Sequence, residues 1–408
     1  MIRSNYLDIN KLTDNKQILR LFDVVADHGG VLRFVGGAVR DALKNIKSYD
    51  LNLATDLSPD ELVEACNDEG YKTVPLGIKQ NAVGILIDGQ TVEVGSLFKY
   101  IEDEDGTSYI EYTDNWEEDA SRRDLTINAV YADEKGNVFD YYNGVEDLEK
   151  GYVRFIGSAA QRIKEDPIRI LRYFRFYSMY GVEEPNKKAV EACQEYSSWL
   201  KKVPMEKIRD ELFRIILTFN APRAYRLMQS HDVLSYILPE AEYIDNLEYF
   251  NKLSVGQKIK NEEIVKLFIL YHPDEALAEN LAVRLKLNRG QKTLLMQLGN
   301  SDELKKDLLT PLGRKSLVYR YGQDFCSAFL LTSYAIAMNA PDNLWDLYDE
   351  INSLSKPIFP ITGRDIMETG ITDNRQIGEM IKELEKNWID SGFTLTKEQL
   401  LSHFSEVI

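Results

Sequence analysis

Apolar positions in the first third of the chain come in short runs separated by turn residues. LRFVGG (32–37), YDLNLA (49–54), AVGILI (82–87) and TVEVGSLF (91–98) have the length and β-type content of strands. Between them, AVRDALKN (38–45) and SPDELVEACNDEG (58–70) carry helical spacing, with Ser58 placed as an N-cap and Glu61 at the reciprocal capping-box position. Asp88-Gly89 between two β-type runs predicts a tight hairpin. Beyond about residue 155 the pattern is helical almost to the end, broken at intervals by Gly or Pro from Gly181 to Pro357, with no fixed-period repeat. The weakly polar run 327–340 is too short to span a bilayer and is interrupted by Thr332 and Ser333, so it predicts a buried helix. The acidic stretch IEDEDGTSYIEYTDNWEED (101–119) is expected to be a mobile solvated loop, one able to gate a site. The whole predicts an α+β protein: an α/β head followed by a long all-α body.

Composition narrows this little. At 408 residues, 44% hydrophobic and 28% charged, the chain is long enough for two to four domains and has a globular balance. Cys66, Cys193 and Cys326 are odd in number and far apart, and the N-terminal stretch has no signal-peptide core; a cytoplasmic protein is expected, with no membrane association. Charge changes the picture more. A net charge of −17 argues against a polyanionic partner, but it is unevenly spread. Residues 1–150 carry 15 basic and 30 acidic side chains, whereas residues 151–240 carry 15 basic and 11 acidic. A local basic surface is what a phosphate backbone needs, whatever the total; the plainer account is a set of solvated helix faces.

Several residues then suggest chemistry. In YDLNLA, Asp50 and Asn52 stand two apart and so share a strand face. Gly36-Gly37 ends one strand and opens a helix, where backbone amides suit phosphates, and Arg40 lies one turn in. Glu93, between Val92 and Val94, points away from both, and reaches the Asp50 face if its strand pairs there. Taken singly, each is ordinary: Gly-Gly before a helix is usually a turn, and a strand glutamate is usually solvated.

Taken together and in order, they resemble a family. VGGAVRDALKNIKSYDLNLATDLSPDEL (35–62) resembles the opening signature of the class II CCA-adding tRNA nucleotidyltransferases and their bacterial poly(A) polymerase relatives, a Gly-Gly-x-x-Arg-Asp helix followed by an Asp-x-Asp strand. EEDASRRDLTINAVYAD (117–133) resembles the second family motif, with Leu125 for Phe, and the region 140–176 resembles the linker and its Glu-Asp-x-x-Arg motif. VPMEKIRDELFRIIL (203–217), FPITGRDIMETGI (359–371) and NWIDSGF (387–393) are similar to later family elements. The resemblance implies a polymerase-β-like nucleotidyltransferase head (1–155), a helical neck carrying a nucleotide-selecting helix (156–220), a helical body (221–300) and a tRNA-binding tail (301–408). It implies template-independent addition of C, C and A to tRNA from CTP and ATP by two-metal transfer with Mg²⁺. Asp50, Asn52 and Glu93 would be the metal ligands. Gly36, Gly37, Arg40 and Arg123 would bind the nucleotide, with Asp124 and Asn128 near the ribose. Asp166 and Arg169 would read the base edge, supported by Arg172 and Arg175. On a helical wheel begun at Asp166, which puts it on one helix with Arg169, the three arginines lie opposite Ile170 and Phe174, which by itself also fits an exposed salt-bridged face.

Three positions depart from the family pattern. Asn52 replaces the second metal-binding Asp and brings no charge, which predicts weaker metal binding and a weakened, specialised or engineered member. Phe98 stands where a polar residue is common, and Gln80-Asn81 where His-Gly or Phe-Gly is common. A poly(A) polymerase of the same family and a catalytically silent RNA-binding protein are the rival expectations. His231-Asp232 resembles an HD phosphohydrolase motif, but four histidines in the chain leave that domain unexpected.

Overall fold

Asn15 opens the first helix, its side-chain oxygen accepting the amides of Gln17 and Ile18, and α1 (Lys16–Asp27) buries Ile18, Leu21, Phe22, Val24 and Val25 along one face. The computed structural model describes residues 6–46, 51–76, 81–102, 108–182 and 184–405. After α1 the head alternates: β1 (Leu32–Val35), α2 (Gly37–Leu43), β2 (Asn52–Thr55), α3 (Pro59–Asp68), β3 (Lys72–Pro75), β4 (Ala82–Ile87) and β5 (Gln90–Ser96). Ser58 and Glu61 form the expected capping box at α3. Asp88 and Gly89 take φ of 50° and 79° and turn β4 into β5, with Ile87 opposite Gln90.

The stretch 101–119 differs from the expected loop. β5 stops at Ser96, and a separate strand β6 (Phe98–Glu102) pairs antiparallel with β7 (Ser108–Tyr112); α4 (Trp116–Ser121), capped by Asn115, follows. Lys99 and Glu111 are direct cross-strand partners, Nζ and Oε2 3.4 Å apart, so part of the acidic run is spent on pairing rather than solvation. Residues 103–107 lie outside the described residues.

Two more strands, β8 (Val130–Ala132) and β9 (Val138–Asp140), complete what is, among the described residues, a seven-stranded sheet of order β3-β4-β5-β2-β1-β8-β9. All neighbours are antiparallel except β2 and β5, whose parallel pairing sets Asn52 opposite Glu93. Then come α5 (Gly144–Lys150), α6 (Ala159–Glu165), α7 (Arg169–Tyr180), α8 (Lys187–Glu195), α9 (Met205–Ile216) and α10 (Ala221–Ser230). α7 buries Ile170, Leu171, Tyr173 and Phe174 and packs on α9 and α10.

The chain divides into two compact units, Met1–Pro239 and Glu240–Ile408. The expected boundaries at 155 and 220 fall within the first, and that at 300 within the second. The described residues of the second unit are helical, from Ile244–Leu253 to Lys397–Ser405. The run around Ser327 lies in a helix, Gln323–Ala337, with Phe325, Cys326, Phe329, Leu330 and Leu331 buried. No described helix is long and apolar enough to cross a membrane.

One glycine ties α5 to the site. A Cβ at Gly144 would lie 2.1 Å from the Thr126 carbonyl oxygen and 2.9 Å from Val130 Cγ2, so only a bare Cα lets α5 approach the 126–128 turn. Gly144→Ala is expected to cost about 3 kcal/mol, the upper end for overpacking, because the nearest atom is backbone. Urea unfolding measures it; a loss of less than about 0.5 kcal/mol, the usual range for a surface change, would show that the contact relaxes freely.

Candidate active site

Parallel pairing of β2 with β5 puts Asn52 and Glu93 side by side, while their neighbours Leu53 and Val94 are buried on the other face. A cavity of about 580 Å³ opens on the Asn52–Glu93 side. Seven arginines and three carboxylates among the described residues line it, a strongly cationic concavity in a chain of net charge −17. Asp50 lies outside the described residues, and among those described no three His, Cys, Asp or Glu side chains converge as a metal set.

Gly36 and Gly37 line the cavity where β1 passes into α2, Gly36 with φ 70° and ψ −126°, a conformation that favours glycine. α2 is only seven residues long, so its dipole is small, and Arg40 carries most of the charge there. Arg40 is buried and multiply held. Its Nη1 donates to Asn128 Oδ1 at 2.6 Å, its Nε donates to the Tyr180 hydroxyl at 2.9 Å, and its Nη2 donates to Asp41 Oδ1 at 2.8 Å. Asn128 passes the chain on, Nδ2 donating to Asp124 Oδ1 at 3.1 Å. An amide suits this place because it accepts from a cation and donates to an anion at once.

Asp124 is 5% exposed and faces Arg172, whose Nη2 lies 2.9 Å from Oδ2 as an ion pair off the hydrogen-bond line. Burial alone would raise the Asp124 carboxyl; Arg172, the Asn128 amide, the Leu125 N–H and Arg169 outweigh it and hold the group below the ordinary carboxylate range. Arg169 donates to Glu165 at 2.6 Å and to the Arg122 carbonyl at 3.2 Å, and Arg175 pairs with Glu211 at 3.2 Å. The arginine face expected on α7 is thus present and turned to the cavity.

Asp166 is placed differently from the helical-wheel expectation. It is not on α7: it lies in the extended link after α6, φ −151° and ψ 104°, and Ile168 N donates to its carboxylate at 3.3 Å. Proline at 167 disfavours a helical residue before it, so the sequence carries the signal for this break. Asp166 lines a neighbouring cavity of about 920 Å³, and Arg169 and Arg122 line both. Of the other departures, Phe98 is covered by the Arg122 guanidinium at 3.4 Å from its ring centroid. Asn81 lines the cavity, and Gln80 lies outside the described residues. His231 ends α10, its Nδ1 3.0 Å from the Leu227 carbonyl oxygen.

The sequence pattern missed Asp119. At 1% exposure it holds both Arg122 and Arg123, the latter at 2.9 Å, and accepts the Tyr131 hydroxyl at 2.7 Å. Its spacing to the two arginines, three and four residues on, is a readable sign of pairing within an otherwise plain acidic run. Burial would raise its carboxyl; Arg123, Arg122 and the Tyr131 hydroxyl reverse that and lower it.

Residues 32–154 match the family model of the poly A polymerase head domain, and residues 184–244 match the model described as a probable RNA and SrmB-binding site of polymerase A. The chain is 31% identical over 382 residues to the human mitochondrial CCA tRNA nucleotidyltransferase 1, covering 92% of this chain and 86% of the relative. Its fold is similar to the CCA-adding enzyme of Bacillus stearothermophilus solved with CTP, with TM-score 0.79 and 21% identity over 96% of each chain. It is also similar to the Thermotoga maritima CCA-adding enzyme complexed with tRNA, with TM-score 0.68 and 20% identity over 99% of each chain.

Asp119→Asn keeps the shape and removes the charge that two guanidiniums share. A loss of about 3 kcal/mol is expected at neutral pH, the low end for breaking a buried pair because both arginines keep some solvent contact. Asp119 and Asp124 are lowered in the folded state, so their stabilisation is present above the unfolded value near about 3.9 and is lost as pH falls through the folded values. Urea midpoints should therefore decline from about pH 4 downward, less steeply in the variant. Equal stability and equal acid sensitivity would remove Asp119 from this role.

Proposed function

The chain belongs to the family of class II CCA tRNA nucleotidyltransferases and bacterial poly(A) polymerases, and from that we propose that it adds C, C and A to the 3′ end of tRNA from CTP and ATP without a nucleic-acid template. The observation that carries this reading is the cavity itself. A wall of arginines, held by buried carboxylates, stands beside Asn52 and Glu93 on paired strands. That arrangement suits a triphosphate.

The reaction joins the RNA 3′-oxygen to the α-phosphorus of the incoming nucleotide and breaks the bond to the bridging oxygen, releasing pyrophosphate. Gly36, Gly37 and Arg40 receive the triphosphate, and Arg123 adds a second cation to it. Preorganised charge of this kind stabilises the leaving group most, because that is where negative charge grows. Arg169 donates to the ring nitrogen that cytosine and adenine share, and Asp166, which lines the neighbouring cavity that Arg169 also borders, accepts from their amino group. Asp124 and Asn128 lie near the ribose, and Arg172 and Arg175 support them. We assign the body and tail helices to the tRNA and keep the division into head, neck, body and tail as part of this proposal. The three cysteines are buried and unpaired, which supports a reducing, cytoplasmic setting.

Glu93 and Asn52 present oxygen donors to the cavity, the ligand type Mg²⁺ takes, and the family resemblance would add Asp50 to make a magnesium set of reduced charge. Bound Mg²⁺ would polarise the reacting phosphate and ease deprotonation of the 3′-hydroxyl.

Two outcomes test the proposal. A tRNA transcript ending at the discriminator base should gain C, C and A in that order; long A tracts without C would favour the poly(A) polymerase reading, and no product with either Mg²⁺ or Mn²⁺ the silent one. Asn52→Asp should raise turnover on the order of 10²-fold, most at low Mg²⁺, because it restores a preorganised charge, while Glu93→Ala should abolish it. Equal turnover of the parent protein and the Asn52→Asp variant across a Mg²⁺ titration would take position 52 out of the metal set.

A further inference from the structure

Nucleotidyl transfer onto RNA needs room for two substrates, and Gly37, Arg40, Arg123 and Arg169 account for the triphosphate and its base. The α7–α9 edge of the cavity is left: Phe176, Met179 and Arg214 line it. Arg214 differs from the other arginines of the wall. Its side chain is 62% exposed, against 36% or less for the other six. Its carboxylate contact is long, Nη1 to Glu211 Oε1 at 3.4 Å, and the other oxygen of Glu211 already serves Arg175. One carboxylate between two guanidiniums leaves a positive charge over. Burial above all, with the like charges of Arg172 and Arg214 adding to it, pushes the ionisation of Arg175 down against the pull of Glu211. Met179, one helical turn beyond Arg175 and 45% exposed, sets an apolar surface on the same edge.

We propose that Arg214 grips the RNA: its guanidinium pairs with the phosphodiester next to the 3′ terminus, and Met179 supports the terminal base. This rests on the nucleotidyl-transfer reading and deepens it by naming where the acceptor strand sits. An exposed rim arginine suits a polyanion that arrives from solvent, whereas the buried Arg40 suits a small ligand held deep. A guanidinium is also matched to a phosphodiester by its paired donors.

The test compares the whole protein with Arg214→Gln and Arg214→Lys. Fluorescence anisotropy with a tRNA transcript lacking CCA, over a series of salt concentrations, is set beside a CTP titration. Arg214→Gln should weaken RNA binding roughly tenfold and lower the salt slope by about one, with CTP affinity unchanged and Lys retaining the slope. A transcript carrying a neutral methylphosphonate at its last linkage should bind the parent protein roughly tenfold worse, and Arg214→Gln no worse than the ordinary transcript. The proposal is overturned if Arg214→Gln still loses affinity for the methylphosphonate transcript, or if CTP affinity falls while RNA affinity holds. Failure of the parent protein to extend RNA would instead strike the transferase reading, since the binding comparison is read without turnover.

Discussion

Seven guanidiniums among the described residues line one cavity, and like charges brought together there repel one another. The fold meets this by sharing buried or half-buried carboxylates. Asp119 serves Arg122 and Arg123, Glu165 serves Arg162 and Arg169, and Glu211 serves Arg175 and Arg214. Asp124 pairs with Arg172 and, through Asn128, is linked to Arg40. Sharing holds each arginine in place without cancelling the field, and in the proposed function the surplus would be neutralised by a triphosphate and a phosphodiester. Charge held before the ligand arrives needs no reorganisation when it does.

The rest of the first unit is arranged around that constraint. β2 and β5 run parallel so that Asn52 meets Glu93, α7 turns its buried face to α9 and α10 so that its arginines face inward, and Gly144 lets α5 close on the turn bearing Asn128. Asn52 is the weak point. In the proposed function, a second carboxylate would draw metal charge into the cavity where the Asn52 amide supplies only a dipole, and the arginines would carry more of the work of holding phosphate.

What is legible in the sequence follows from local rules. The Ser58–Glu61 box, the Asp88-Gly89 turn and the arginine face of α7 need no tertiary information, and each stands as expected. What escapes depends on neighbours far along the chain or on signals masked by charge. The β6–β7 hairpin is hidden because its acidic residues read as solvation, although Lys99 opposite Glu111 shows them as cross-strand partners. The wheel pattern carries Asp166 onto a helix that Pro167 keeps it out of. Asp119 looks like one more surface acid until Tyr131, from β8, closes over it. The overall charge misleads most, since a net of −17 says nothing about a cavity lined by seven arginines.

A crystal structure of this protein with CTP bound tests the account most directly. The account predicts the triphosphate against Gly37 and Arg40, the cytosine edge against Arg169 and Asp166, and Asp119 and Asp124 still holding their arginines as they do now. A nucleotide bound away from Arg40 and Arg169, or a wall whose arginines leave those carboxylates to reach it, would contradict it.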